Sequence, residues 1–332
     1  MTGRIMGEGG RKGGRKGGDS PWRTPMIVFA LLLAAQFVLP DYHHTNMTRI
    51  MIFAVFAIGY NVAFGYAGLL SLGHAMFFAA GLYGAGMSAQ FLGFSMPLAF
   101  LFGGLCGLVL ALVAGLVALR TSGVSFLIVT LMFSQAAYLT ILYFNDFTRG
   151  DEGFVLAQEI RQLRFGEMVL PLTDPSLRYN LALGLFVTCY LLGIALLRSP
   201  IGRVLVALRE NEPRVQMLGY NTFGYKLLAL SVSGALSGLS GAAYALLFAY
   251  VGATFASTQY SIYPLLWVLL GGAGTALGPL IGTGLMFYLV EFASEITSSY
   301  LIVVGVVLVL LVIVFPKGLI GTLSERWRRA RS

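Results

Sequence analysis

Two long stretches of this chain carry almost no charge, and that layout leaves few ways to fold. Residues 26–144 hold three charged side chains and residues 227–316 hold two, while the intervening 145–226 hold 17. A helix that crosses a bilayer needs about 20 mostly apolar residues. Such runs lie near 26–40, 50–66, 74–93, 97–119, 123–144, 179–197, 227–250, 279–294 and 299–315. The stretch 262–271 is apolar but short, either a half-helix or the start of a broken one. Lipid offers no partner to free backbone N–H and C=O groups, so helices are the expected spans. The long runs also lack the alternation of a β-barrel. The expectation is an all-α polytopic membrane protein with nine or ten transmembrane helices. At 11% charged residues and a mean hydropathy of +0.81, a soluble domain is excluded. Cys106 and Cys189 sit alone in apolar runs and read as packing residues, not a disulfide framework.

The net charge of +8 orients the chain. Lys and Arg collect in cytoplasmic segments. Three segments qualify: the Gly-rich tail 1–25 (Arg4, Arg11, Lys12, Arg15, Lys16, Arg23), the segment 198–226 (Arg198, Arg203, Arg209, Arg214, Lys226) and the C-terminal tail 318–332 with the adjoining Lys317. The segment 145–178 sets six acids (Asp146, Asp151, Glu152, Glu159, Glu167, Asp174) against four Arg and is expected outside. Five spans carry the chain from a cytoplasmic N-terminus to that loop and a sixth returns it. Four crossings, or two around a re-entrant hairpin at 262–294, then end inside. The transmembrane domain thus runs from 26 to 317 between two basic tails. A basic region before Met26–Ala35 also fits a signal peptide, with the same parity afterwards. The 1–25 tail suits weak attraction to anionic membrane lipid. No folded basic surface accompanies it, so no nucleic-acid partner is expected.

Glycine makes up 42 of the 332 residues and clusters in two places. Gly65, Gly68 and Gly73 sit in one cluster, and Gly271, Gly274 and Gly278 in the other, at similar spacing. Glycine in a membrane helix permits close packing or marks a break, and paired breaks in two halves point to a midplane site. This spacing suggests a possible internal repeat. Candidate path residues are Asn61, Gly65, Gly68, Ser71, Gly73, His74, Gly271, Gly274 and Gly278. The plainer reading makes both clusters packing faces, with His74 bonded to a carbonyl freed by the break. Glu291 and Glu295 read as interfacial.

The polar segment 198–226 breaks into two short helices. Val204, Leu205 and Leu208 form an apolar face over 204–211, Glu212-Pro213 opens a second helix, and Gly219 ends it. Mixed charge favours docking into a partner over lying on lipid.

Here the run Asn61-Val-Ala-Phe-Gly65-Tyr-Ala-Gly68-Leu-Leu-Ser71-Leu-Gly73-His74 resembles the signature of permease subunits of branched-chain amino acid ABC importers. Gly202-Arg203 through Arg209-Glu210-Asn211-Glu212 to Leu218-Gly219 resembles that family's cytoplasmic coupling segment. Ser233–Ala242, Gly271–Gly278 and Phe315-Pro316-Lys317-Gly318 are also similar, so the likeness covers about residues 50–320. It implies a bacterial inner-membrane importer with two ATPase subunits, a second homologous permease and a periplasmic solute-binding protein. It implies docking by Arg203, Ala207, Arg209, Glu210, Asn211 and Glu212, and cargo that is a branched-chain amino acid, urea or a short amide. The chain carries no G-x-x-x-x-G-K-[ST] phosphate loop. ATP and Mg are therefore expected on the partner ATPases, with no catalytic residue, metal or cofactor here. The rival is an ion-coupled secondary transporter, which calls for intramembrane carboxylates beyond Glu291 and Glu295. An intramembrane enzyme lacks a nucleophile–base pair.

Overall fold

The computed structural model describes residues 23–38, 40–158, 161–165, 168–297, 299–315 and 318–322. Most of both basic tails lies outside these residues, as do Glu159 and Glu167 of the acidic segment.

Every apolar stretch read from the sequence is helical. In chain order the helices are α1 (Arg23–Val38), α2 (Asp41–Tyr60) continued by a π-helical turn (Asn61–Tyr66), α3 (His74–Phe91), α4 (Met96–Ala118) and α5 (Val124–Tyr143). A one-turn α6 (Asn145–Thr148) opens the acidic segment, which holds β1 (Phe154–Val155), β2 (Gln162–Phe165) and β3 (Met168–Pro171). Then come α7 (Pro175–Arg198), α8 (Pro200–Glu210), α9 (Glu212–Met217), α10 (Thr222–Phe248), β4 (Tyr250–Val251), a 3-10 turn (Ala253–Ala256), α11 (Thr258–Gly271), α12 (Gly278–Ile296) and α13 (Tyr300–Val314). The strands depart from an all-helical expectation, but only as two antiparallel pairs, β2 with β3 and β1 with β4.

Six of these helices are long and apolar enough to span a membrane: Tyr42–Tyr66, Met96–Ala118, Val124–Tyr143, Pro175–Arg198, Thr222–Phe248 and Gly278–Ile296. Among the described residues, the other expected spans are α1, α3, α11 and α13, which are shorter or less apolar. The apolar parts of α1 and α13 are short, Met26–Phe37 and Ile302–Leu311. Helices α3 and α11 start inside the bundle. The Ser261 hydroxyl in α11 accepts from the Ala75 N–H in α3 (3.0 Å) and lies 3.3 Å from the Ser134 hydroxyl, halfway along α5. At 1.5 Å per residue, α11 is about 21 Å long, against about 30 Å of hydrocarbon. The 262–271 stretch therefore belongs to a broken element, reached through the buried Ala253, Phe255 and Ala256.

Helix α2 is the axis of the bundle, with residues 50–63 all buried. A helix buried on every side can be apolar on every side. Helix α4 instead shows a stripe of exposed Leu98, Leu101, Leu105, Val109, Leu112 and Leu116, spaced for one helical face turned to lipid. Its other face is glycine. A Cβ on Gly107 would fall 2.7 Å from Gly234 O, and one on Gly103 2.6 Å from Gly81 O. Gly81 and Gly241 make the same close approach between α3 and α10. Lipid supplies no hydrophobic drive between helices, so close backbone packing must hold the three together.

The polar segments carry the side-chain caps. Asp174, Ser199, Asn211 and Asn221 accept from the N–H groups of Ser176, Gly202, Arg214 and Gly224, opening α7, α8, α9 and α10. Helix α8 accordingly begins at Pro200, four residues before the apolar pattern suggests. The Ser199-Pro200 pair, an N-cap followed by a first-turn proline, was the missed signal. At the far end of α10, Arg161 donates to the carbonyls of Leu246 (3.1 Å) and Leu247 (2.6 Å). Burial and the nearby Arg178 hold the Arg161 guanidinium below its ordinary pKa.

Candidate functional site

The two glycine clusters and the polar segment 198–226 meet at one end of the bundle. The first break follows the π-turn, where Gly68 takes φ +73, and helix resumes at His74. The second lies between α11 and α12, where Gly272 and Gly274 take φ +118 and +78. These left-handed conformations suit glycine. Gly68 and Gly274, matched by spacing in the sequence, thus both take a positive φ.

Asn61 joins the two breaks. Its Oδ1 accepts from Gly274 N (2.9 Å) and its Nδ2 donates to Thr275 O (3.0 Å). Gly65 lies so close that a Cβ there would fall 2.7 Å from Gly274 N. Arg209, near the end of α8, reaches into this junction, and its Nη1 donates to Gly65 O. A Cβ on Gly274 would fall 2.9 Å from that Nη1, and one on Gly68 3.1 Å from Arg209 Cγ. One guanidinium stem therefore touches Gly65, Gly68 and Gly274. Beside it opens a cavity of about 460 Å³ whose lining includes Gly68, Leu70, Phe126, Leu208, Arg209 and Lys226.

The other candidates from 198–226 divide. Arg203, Glu210 and Asn211 are exposed and Ala207 is half-buried, while Leu205 and Leu208 face the bundle. Asn211 caps α9. Glu212 pairs with Lys226 at the start of α10 (2.6 Å). That pair is partly exposed, so Glu212→Gln is expected to lower stability by less than about 1 kcal/mol, checked by thermal unfolding in detergent. Gly219 takes φ +85 just after α9, as a terminating glycine should. The apolar tip of this segment was not singled out by sequence: Met217 and Leu218 are 81% and 71% exposed.

Ser71, Gly73 and His74 lie apart from the Arg209 junction. Ser71 O accepts from the Tyr60 hydroxyl (3.0 Å), and Ser71 Oγ accepts from Gly73 N (3.1 Å). A Cβ on Gly73 would fall 2.6 Å from Thr130 O. His74 is fully buried, edge-on to Tyr60 and Phe77. Its Nε2 lies 2.8 Å from the Ser233 hydroxyl, so its partner is a side chain and not the freed carbonyl expected. Gly271 and Gly278 are packing contacts, with a Cβ on Gly271 falling 1.8 Å from Gly278 O. Among the described residues no group of three or more His, Cys, Asp or Glu could hold a metal ion.

Asn61 satisfies one N–H and one C=O that no regular helix would pair. Asn61→Leu, of similar size, leaves both unpaired and is expected to cost about 2 kcal/mol in detergent unfolding. Unchanged stability would show that the junction is held by other contacts.

Broken helices meeting inside an apolar bundle, tied to a capped polar helix pair at one end, define a multi-pass membrane permease. The chain belongs to the branched-chain amino acid transport system / permease component family, which it matches over residues 44–315. It is 29% identical over 297 residues to the high-affinity branched-chain amino acid transport system permease protein LivM of Salmonella typhimurium, covering 82% of this chain and 68% of that one. The LivM of Escherichia coli is 28% identical over 291 residues, with the same coverage. A ribose import permease protein, RbsC of Haemophilus influenzae, is 32% identical over 131 residues, 37% of this chain and 40% of that one. No solved structure matches the chain.

Proposed function

We propose that this chain is the membrane-spanning permease subunit of an ABC importer for branched-chain amino acids. The observation that carries the reading is the Arg209 contact, which links a polar helix pair suited to docking directly to both helix breaks. Two partner ATPases bind ATP and Mg and grip α8 and α9. Arg203, Glu210 and Asn211 offer exposed polar contacts, and Met217 and Leu218 an apolar knob. ATPase closure shifts α8, Arg209 carries the shift to Gly65 and Gly274, and the broken helices rock around α2. A second homologous permease completes the pathway, and a periplasmic solute-binding protein delivers cargo. The chain then sits in a bacterial inner membrane with 198–226 and both termini in the cytoplasm and 145–178 outside. The names of the LivM relatives favour branched-chain amino acids over urea or short amides.

The test is reconstitution. This chain, co-expressed with a second permease and a nucleotide-binding subunit, is expected to purify as one complex that takes up labelled leucine only with ATP and the binding protein. Urea and acetamide serve as the competing cargoes. Purification as a lone chain whose uptake follows an ion gradient would remove this reading.

A further inference from the structure

Arg49 is the only charged residue between positions 42 and 119, and it lies on the buried axis helix. Its guanidinium sits over the Phe248 ring, 5.2 Å from the centroid. Its Nε is buried with no hydrogen-bond partner among the described residues. Arg49 is half-buried, so its Nε is shielded from water, and an aromatic face satisfies only part of that group's need for an acceptor.

Tyr42, Asn46, Arg49 and Phe53 are spaced i, i+4, i+7 and i+11, so they share one face of α2. Glu291 of α12 comes to this face. Its Oε1 accepts from the Tyr42 hydroxyl and from Asn46 Nδ2 (2.9 Å), which leaves Oε2 for another donor. The carboxylate lines a cavity of about 300 Å³ whose walls include Phe53, Tyr260, Tyr263, Trp267 and Val290. Arg49 stands beside this cavity, one helical turn before Phe53, and the Phe248 ring beneath it joins the aromatic wall through Tyr244, 5.0 Å from Phe248 and 5.5 Å from Phe53, ring to ring. Phe53 and Tyr263 stand 5.5 and 6.0 Å from Trp267, ring to ring. The volume suits a small ligand.

One face thus presents a cation whose Nε lacks a partner, a carboxylate whose Oε2 takes no bond among the described residues, and an apolar aromatic recess. A ligand that answers all three carries a carboxylate, an ammonium and an apolar side chain. From this we infer that the cavity is a receiving site for zwitterionic α-amino acids with apolar side chains. Arg49 pairs the α-carboxylate, Glu291 Oε2 accepts from the α-ammonium, and Phe53, Tyr263 and Trp267 enclose the side chain. The site lies in the half of the bundle away from α8 and α9, where cargo enters an importer. The inference rests on the amino-acid reading above and adds the residues that take the cargo.

The test uses the full-length chain in lipid nanodiscs, with emission of Trp267 as the signal and Trp267→Phe as the blank. Wild type is expected to respond saturably to leucine. Leucinol, which lacks the carboxylate, and 4-methylpentanoate, which lacks the ammonium, are each expected to bind at least about tenfold more weakly. Arg49→Gln is expected to weaken leucine at least about tenfold and leave leucinol unchanged. Glu291→Gln is expected to weaken leucine similarly and leave 4-methylpentanoate unchanged. Equal responses to all three compounds, or none, overturn the site. If either variant fails to insert, the analogue series on wild type alone decides. Failure of the importer reading would appear elsewhere, as absent ATP-driven uptake by the complex, beside an intact leucine titration.

Discussion

Gly81→Val is expected to abolish the folded bundle. A Cβ on Gly81 falls 2.0 Å from the carbonyl oxygen of Gly238 and 2.5 Å from its Cα, both backbone atoms. No rotamer change relieves that overlap, so α3 and α10 must separate. Their separation also opens the approaches of Gly103 and Gly107 on α4. Overpacking usually costs about 1–3 kcal/mol where side chains can shift. Where backbone must move through three packed helices, at least about 4 kcal/mol is expected. The measurement is recovery of a monodisperse peak after detergent extraction, where Gly81→Val should yield none. Gly184→Ala is the control, since nothing lies within 4 Å of a Cβ there. Equal recovery of the two would refute close packing as the basis of this core.

The second large effect is functional. Arg209→Ala is expected to reduce transport at least about 100-fold while the complex still assembles and ATP is still hydrolysed. The side chain makes a charge-assisted bond to Gly65 O and fills the space against Gly68 and Gly274. Such a bond is worth about 1.5–3 kcal/mol when buried, and less for Arg209, whose side chain is partly exposed to solvent. Its loss frees α8 from both helix breaks, so motion of the docked pair no longer reaches the spans. A residue that merely docks would lose assembly and hydrolysis together with transport. The experiment compares ATPase rate with leucine uptake in the same vesicles. Parallel loss of both would make Arg209 a docking residue, the role the family resemblance implies.

The Arg209 contact shows the limit of linear reading. Arg203, Arg209 and Glu210 look alike as charges on a short amphipathic helix. Period 3.6 tells which residues share a face, not which neighbour that face meets. Only the folded bundle brings Gly65 and Gly274 beneath Arg209. His74 is similar. A lone histidine after a helix break admits a carbonyl, a path or a packing role, and the choice depends on Ser233, 159 positions away. Arg49 stands alone in an uncharged run, which by itself gives it no role. What gives it meaning is Glu291, whose place beside Asn46 no local pattern reveals.

The sequence by itself determined the class of fold, the helical stretches, the polar segment between them and the positions of both breaks. These follow from short-range physics: apolar length against bilayer thickness, capping residues, and glycine where φ turns positive. It also carried enough ordered motifs to place the chain among branched-chain amino acid permeases. Tertiary structure alone decided that the two breaks touch through Asn61, that Arg209 joins them to α8, and that Arg49 and Glu291 share one face. Those contacts bridge residues far apart in the chain. Helix packing, through backbone approaches that only glycine allows, sets them.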